Sequence, residues 1–273
     1  MKTRKLTIAR TSTLLLALAV VMFVVSCGNR QAKEAENTTT KEEAFKSVTK
    51  YPIPTSFEVI KLLNNAGATY ILSLSNPIEN VDKYIPAKSK ALNLGVYGAD
   101  LSYASTYQMK QETMNYLKVS KKLIDELQIT SAFNVEFAQR VEKNIDNKDS
   151  LIHIISDSFY DTYEFLVNNG KDNTSILVMT GSWVEGLYIT TQMAIISKND
   201  ADMIKIVANQ KEPLSKLLDL MKPYSNDQDV TEIANTLKPL VDIFATINGD
   251  TLTPEQFEQI NKEISLVRGA IVQ

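Results

Sequence analysis

Histidine and cysteine each occur once in the 273 residues, as His153 and Cys27. One histidine excludes a histidine-rich metal centre, and no G-x-S-x-G nucleophile turn accompanies it. One cysteine excludes any internal disulfide. The nine glycines never take the G-x-G-x-x-G or P-loop spacing that cradles phosphate. Beyond the N-terminus no basic run is longer than Lys121–Lys122. The electrostatic footprint of a nucleic-acid binder is therefore missing, and nucleic acid is excluded as a partner. Alternating strands with hairpin turns are missing too. The β-branched run Ile176–Met179 is the one place for a strand, and the apolar run continuing to Ile196 assigns it to a helix instead.

What is present begins with a three-part N-terminus. Lys2, Arg4, Lys5 and Arg10 form a basic region, Leu14–Val25 an apolar one, and Val24–Cys27 (VVSC) closes the segment. The apolar part is too short to span a bilayer comfortably and has the order of a secretory signal. VVSC resembles the lipobox of bacterial lipoproteins, which implies cleavage before Cys27 and acylation of that residue. Residues 1–26 are thus expected to be a signal peptide and Cys27 the lipidation site. A lone thiol in an oxidising compartment is then accounted for as a lipid-bearing thioether, and two or more acyl chains anchor stably where one does not. Removal of residues 1–26 leaves 25 Lys and Arg against 32 Asp and Glu, a net charge of −7.

Residues 27–50 follow as a polar, threonine-rich and charged stretch without apolar periodicity, the composition of a disordered tether. Such a coil would hold the domain about 25–30 Å from the membrane surface. From Tyr51 to Gln273 the pattern is helical. Thr55–Glu58 reads as a capping-box start and Gly67 as a helix stop. Apolar residues recur at helical spacing through Lys110–Leu127 (Met114, Leu117, Lys121, Ile124, Leu127), Ser131–Ile145 and Asp149–Val167 (Ile152, Ile155, Phe159, Tyr163, Leu166), the last ended by Asn169-Gly170. Further helices are expected over Asn199–Gln210, from Pro213, over Val230–Phe244 with a kink at Pro239, and from Thr253-Pro254. Connections are short. The expected fold is all-α, one domain of eight to ten mostly antiparallel helices.

Two segments concentrate the chemistry. In Leu92–Gln108 (LNLGVYGADLSYASTYQ), Gly95, Gly98, Ser102 and Ser105 share one side of a helix, and Asn93, Tyr97, Asp100, Tyr103 and Tyr107 the other. The small side suits close helix packing, whereas the tyrosine–aspartate side either meets water or lines a cleft. Ile176–Ser197 carries a single charge, Glu185, on a face with Ser182, Tyr188 and Gln192. A mid-span carboxylate with glycines and threonines makes membrane insertion poor, so a central bundle helix is expected. Asp100 and Glu185 either share a cleft with these tyrosines, or each is satisfied by a tyrosine, a helix end or a base such as Arg140. The first arrangement makes Asn93, Tyr97, Asp100, Tyr103, Tyr107, Glu185 and Tyr188 the candidate ligand-binding set.

No metal or cofactor is expected. His153, Asp157, Asp161 and Glu164 share a sector of one helix, but they lie opposite its apolar face and lack a Glu-x-x-His motif. Asn144–Ser150 and Asn248–Asp250 lack the order of an EF-hand loop.

The segments Tyr51–Val59 (YPIPTSFEV), Lys90–Ser105 (KALNLGVYGADLSYAS) and Gly181–Ile189 (GSWVEGLYI) are similar to a family of uncharacterised bacterial lipoproteins. The resemblance implies an exported, membrane-tethered helical protein and carries no activity or functional residues with it. The expectation is a cell-envelope lipoprotein, its domain facing the periplasm, that binds a small molecule or an envelope protein without catalysis. The alternative is a carboxylate-dependent hydrolase acting on envelope glycan through Asp100 and Glu185.

Overall fold

A computed structural model describes residues 56–129, 135–198 and 200–273. The signal segment 1–26, Cys27, the tether and the Thr55 cap lie outside the described residues. Within them ten α-helices and no strands occur: α1 (Ser56–Asn65), α2 (Ala87–Thr106), α3 (Lys110–Glu126), α4 (Val135–Lys143) and α5 (Lys148–Asn168). They continue as α6 (Asp172–Ile196), α7 (Ala201–Ala208), α8 (Lys211–Met221), α9 (Gln228–Ala245) and α10 (Pro254–Val272). The fold is an all-α bundle around one shared hydrophobic core.

Local chemistry sets many of the helix ends. The side chains of Asn147, Asp200 and Asp227 accept the first free amides of α5, α7 and α9. Thr253 and Gln256 form a reciprocal capping box with Pro254 at the first position of α10. Gly67 ends α1 at φ +81°, with Ala68 N–H donating to the Leu63 carbonyl. Proline 239 does not end α9, which runs unbroken through it. Both Pro239 and Asn235, whose carbonyl loses its partner, are exposed, so water takes the missing bond.

The helices α2 and α6 make the most extensive contact in the bundle. Their contacts progress in the same direction, from Leu92 and Gly95 against Val178–Ser182 to Tyr103 against Met193, so this central pair is parallel. α3 runs antiparallel to α2, with Lys90 paired to Glu126 and the rings of Tyr97 and Tyr116 6.2 Å apart. α10 runs antiparallel to α6, with Gln192 bonded to Asn261. As the charge-poor sequence of α6 predicts, nearly every residue from Ser175 to Ala194 is buried. No described helix is long and apolar enough to cross a membrane.

The small side of α2 is divided. A Cβ on Gly95 would sit 1.9 Å from the Val178 carbonyl oxygen, and one on Gly181 1.8 Å from that of Leu92. The two glycines thus form a reciprocal backbone crossing, the geometry in which Cα–H groups face carbonyls of the opposite helix. Gly98 lies outside this crossing and faces the ring of Phe159. Ser102 and Ser105 donate their hydroxyls to Gly98 and Ser102 carbonyls of their own helix.

Two helix faces differ from those the periodicity suggests. In α3, Thr113, Tyr116, Ser120 and Leu123 point inward alongside Leu117 and Ile124, and Lys121 is exposed. In α5 the inward positions are Leu151, Ile154, Ile155, Ser158, Thr162 and Leu166, while Phe159 and Tyr163 are half-buried. Ser158 and Thr162 are tolerated there because their hydroxyls donate to carbonyls of their own helix, at 2.9 and 2.8 Å.

Candidate functional site

The 21 residues between α1 and α2, residues 66–86, pass over the polar side of α2 as a strap containing two 3₁₀ turns, Leu72–Leu74 and Ile78–Lys83. A strap without regular pairing leaves backbone groups that burial would penalise. The polar side of α2 supplies their partners. Tyr103 accepts the Ile71 N–H at 2.9 Å and donates to the Thr69 carbonyl at 3.3 Å. Asp100 Oδ2 accepts the Asn76 N–H at 3.0 Å, and the Tyr97 hydroxyl donates to the Pro77 carbonyl at 2.9 Å. Asn93 Nδ2 donates to the Ile271 carbonyl at 2.8 Å, closing the C-terminus of α10 where no helical partner remains. Asn76 links the ends of this row, donating to Tyr84 at 2.9 Å and accepting from Asn80 at 2.8 Å.

Asp100 and Glu185 meet beneath the strap, and both are 0% exposed. Arg268 of α10 grips Glu185 with two bonds, Nε to Oε2 at 2.7 Å and Nη2 to Oε1 at 2.8 Å. The same Nη2 donates to the Leu74 carbonyl of the strap at 3.0 Å, and the guanidinium lies 4.2 Å over the Tyr188 ring. Asp100 lies against Glu185 within hydrogen-bonding reach. Burial raises the pKa of Asp100 well above the usual carboxyl range, and the charge of Glu185 adds to the rise. Burial also raises Glu185, but there Arg268 opposes it directly through contact.

Every residue of the candidate set is therefore placed. Asn93, Tyr97, Asp100, Tyr103 and Glu185 are brought together and fully buried, while Tyr107 and Tyr188 are half-buried at the margin. The Tyr70, Tyr103 and Tyr107 rings cluster at one end, with the 103–107 pair edge-on at 5.2 Å. The tyrosine–aspartate side neither meets water nor lines an open cleft; the strap closes it. Arg140 is not the base that answers the acids; Arg268 is. Its signal was present in the sequence, because Arg268 stands four residues after Ile264 and three before Ile271, on the buried stripe of α10. Asn76, Ser75 and Tyr84 carried no comparable signal, since strap residues follow no period.

The geometry bears on chemistry directly. Glycosidic cleavage by two carboxyls needs them about 5–10 Å apart across an open cleft. Here they touch each other, one is saturated by arginine, and a strap covers both. His153, Asp161 and Glu164 are exposed on the outer side of α5.

An opening exists elsewhere, on the opposite side of α2. A cavity of about 40 Å³ lies between α2, α3, α5 and α6, lined by Leu94, Gly98, Ile124, Phe159, Tyr163 and Met179 among others. It arises where Gly98, Ser120, Ser158, Thr162 and Ser175 put small side chains at inward positions. Among its lining residues the Ser120 hydroxyl oxygen is buried without a hydrogen-bond partner. In comparisons with known proteins, no family, curated protein or solved structure matches the chain.

Proposed function

We propose that this protein is a lipid-anchored component of a bacterial cell envelope that acts by binding and not by catalysis. The observation that carries the non-catalytic reading is the state of the two acids in the most apolar helices. Glu185 is saturated by Arg268, Asp100 is fully buried beside it, and both serve to hold a strap against α2. A general acid or nucleophile must reach its substrate; these face only protein. The anchoring half of the proposal rests on the signal order of residues 1–26, on VVSC and on the lone Cys27. For a small molecule, the apolar cavity beside Phe159 and Tyr163 is the seat we favour, with the Ser120 hydroxyl as its buried, unpartnered hydrogen-bonding group.

Two measurements test this. Cys27→Ala is expected to abolish metabolic lipid labelling and to release the protein from membranes washed in high salt; full retention would refute the anchor. The domain from about Lys50 onward, purified from an envelope extract, is expected to retain a small apolar ligand in native mass spectrometry and to cleave no peptidoglycan. Glycan cleavage that Glu185→Gln abolishes would establish the hydrolase alternative.

A further inference from the structure

We propose that Asp100 and Glu185 hold one proton between them, carried on Asp100 Oδ1, and that this proton latches the 66–86 strap onto α2. The partners of each oxygen carry the inference. Arg268 occupies both oxygens of Glu185. Asn76 N–H occupies Oδ2 of Asp100, whereas Oδ1 is buried without a bonded partner; the nearby Ser75 hydroxyl, itself unpartnered, favours the charged carboxyl but brings no charge to balance it. That carboxyl lies within hydrogen-bonding reach of Glu185. Two bare carboxylates in contact repel each other, and one arginine balances only one of them. A proton on Oδ1 turns the repulsion into an O–H···O bond and leaves a neutral acid beside a complete ion pair.

Among the described residues, the other groups around this spot supply no second cation. From α2 they are Tyr97 and Tyr103, from α3 Tyr116 and Glu112, from α6 Tyr188, and from the strap Tyr70, Ser75 and Tyr84. Burial raises Tyr70, Tyr84, Tyr97, Tyr103 and Tyr116 above the ordinary phenol range, so none of these five ionises near neutrality. The buried carboxyl pair is left as the titrating element under the strap. It touches the strap twice, through Asp100 at Asn76 N–H and through Arg268 at the Leu74 carbonyl. Loss of the proton puts an unbalanced charge beneath both contacts, and the strap lifts.

The sign of the pH dependence follows. The folded chain keeps a proton that the unfolded chain releases above about pH 4. This contribution to stability is fully present below that pH and is lost as the pH rises toward the raised pKa of the pair. Over that window the folding constant falls up to about tenfold per pH unit from this group alone. Asp100→Asn mimics the protonated state, its amide donating to Glu185 while its oxygen accepts from Asn76.

The test uses the full-length protein in detergent. Infrared spectra at pH 7 are expected to show the C=O stretch of a buried protonated carboxylic acid, absent in Asp100→Asn. Urea titrations from pH 5 to 9 are expected to show wild type losing stability relative to Asp100→Asn as the pH rises. Exchange of the Ile71 and Asn76 amides, corrected for chemical rates, should accelerate in wild type alone. Parallel pH profiles, or no protonated-carboxyl band at pH 7, would overturn the proposal. If Asp100→Asn does not fold, the wild-type infrared titration decides: a band persisting at pH 7 supports the shared proton, and its absence refutes it.

Discussion

Replacing Gly95 with alanine adds one methyl group at the tightest point of the α2–α6 crossing. Its Cβ would stand 1.9 Å from the Val178 carbonyl oxygen and 2.6 Å from the Ser182 nitrogen. An unstrained carbon–oxygen contact needs about 3.3 Å, so the shortfall is about 1.4 Å. Both obstructing atoms belong to helix backbone, so no side-chain rotamer relieves the clash, and the helices must separate. Separation loosens the packing of Leu92, Val96, Val178 and Val184, all buried around the crossing. Overpacking of this kind costs about 1–3 kcal/mol when side chains can adjust, and more when they cannot. Alanine in place of glycine in a helix returns about 1 kcal/mol. The net expectation is a loss of about 3 kcal/mol, which for a domain of this size lowers Tm by about 6–12 °C. Gly98→Ala is the control, three residues along the same helix. Its Cβ would meet only the edge of the Phe159 ring, at 3.1 Å, and that half-buried side chain can yield. Gly98→Ala is expected to lie within about 1 kcal/mol of wild type, on the stabilising side, because helix propensity is the main change. Differential scanning calorimetry of the two variants decides. A Gly95→Ala protein as stable as wild type, or a Gly98→Ala protein that is the less stable of the two, would refute the crossing as drawn.

Two further substitutions probe the strap and the helix ends. Arg268→Ala strands Glu185 as a buried charge and removes the donor to the Leu74 carbonyl; a loss of about 3–5 kcal/mol in urea titrations is expected, recovering part of the way in acid as Glu185 takes up a proton. Gln128→Gly relieves a non-glycine residue held at φ +58° beyond the end of α3, and a gain of up to about 1 kcal/mol by thermal melting is expected, smaller than the relief itself because glycine also loosens the unfolded chain.

The sequence by itself determined the helices, because the forces that start and stop a helix act within one turn. The Thr253-Pro254 start, the Asn169-Gly170 stop and the apolar spacing of Phe257, Ile260, Ile264 and Val267 all reappear in the folded chain. The buried character of α6 was legible from the single charge in Ile176–Ser197. Where a local signal was missing, the reading was weaker. α2, α3 and α6 end on Gln108, Gln128 and Lys198 in the left-handed region, where no glycine marks the stop. The inward faces of α3 and α5 carry Thr113, Ser158 and Thr162, whose hydroxyls bond to backbone carbonyls one turn back, and Ser120, whose hydroxyl has no partner; such polar residues escape a reading based on apolar period.

Only the tertiary structure decided what the acids do. Asp100, Glu185 and Arg268 lie 83 to 168 positions apart, and the Asp100 carboxyl also depends on Asn76 in a strap with no periodic pattern. A helical wheel shows that Asn93, Tyr97, Asp100 and Tyr103 share a side, but not what that side faces. Water, a ligand and a folded-back segment all satisfy the same polar groups. The choice among them rests on which backbone groups of residues 66–86 need partners, and those needs exist only once the chain has closed over α2.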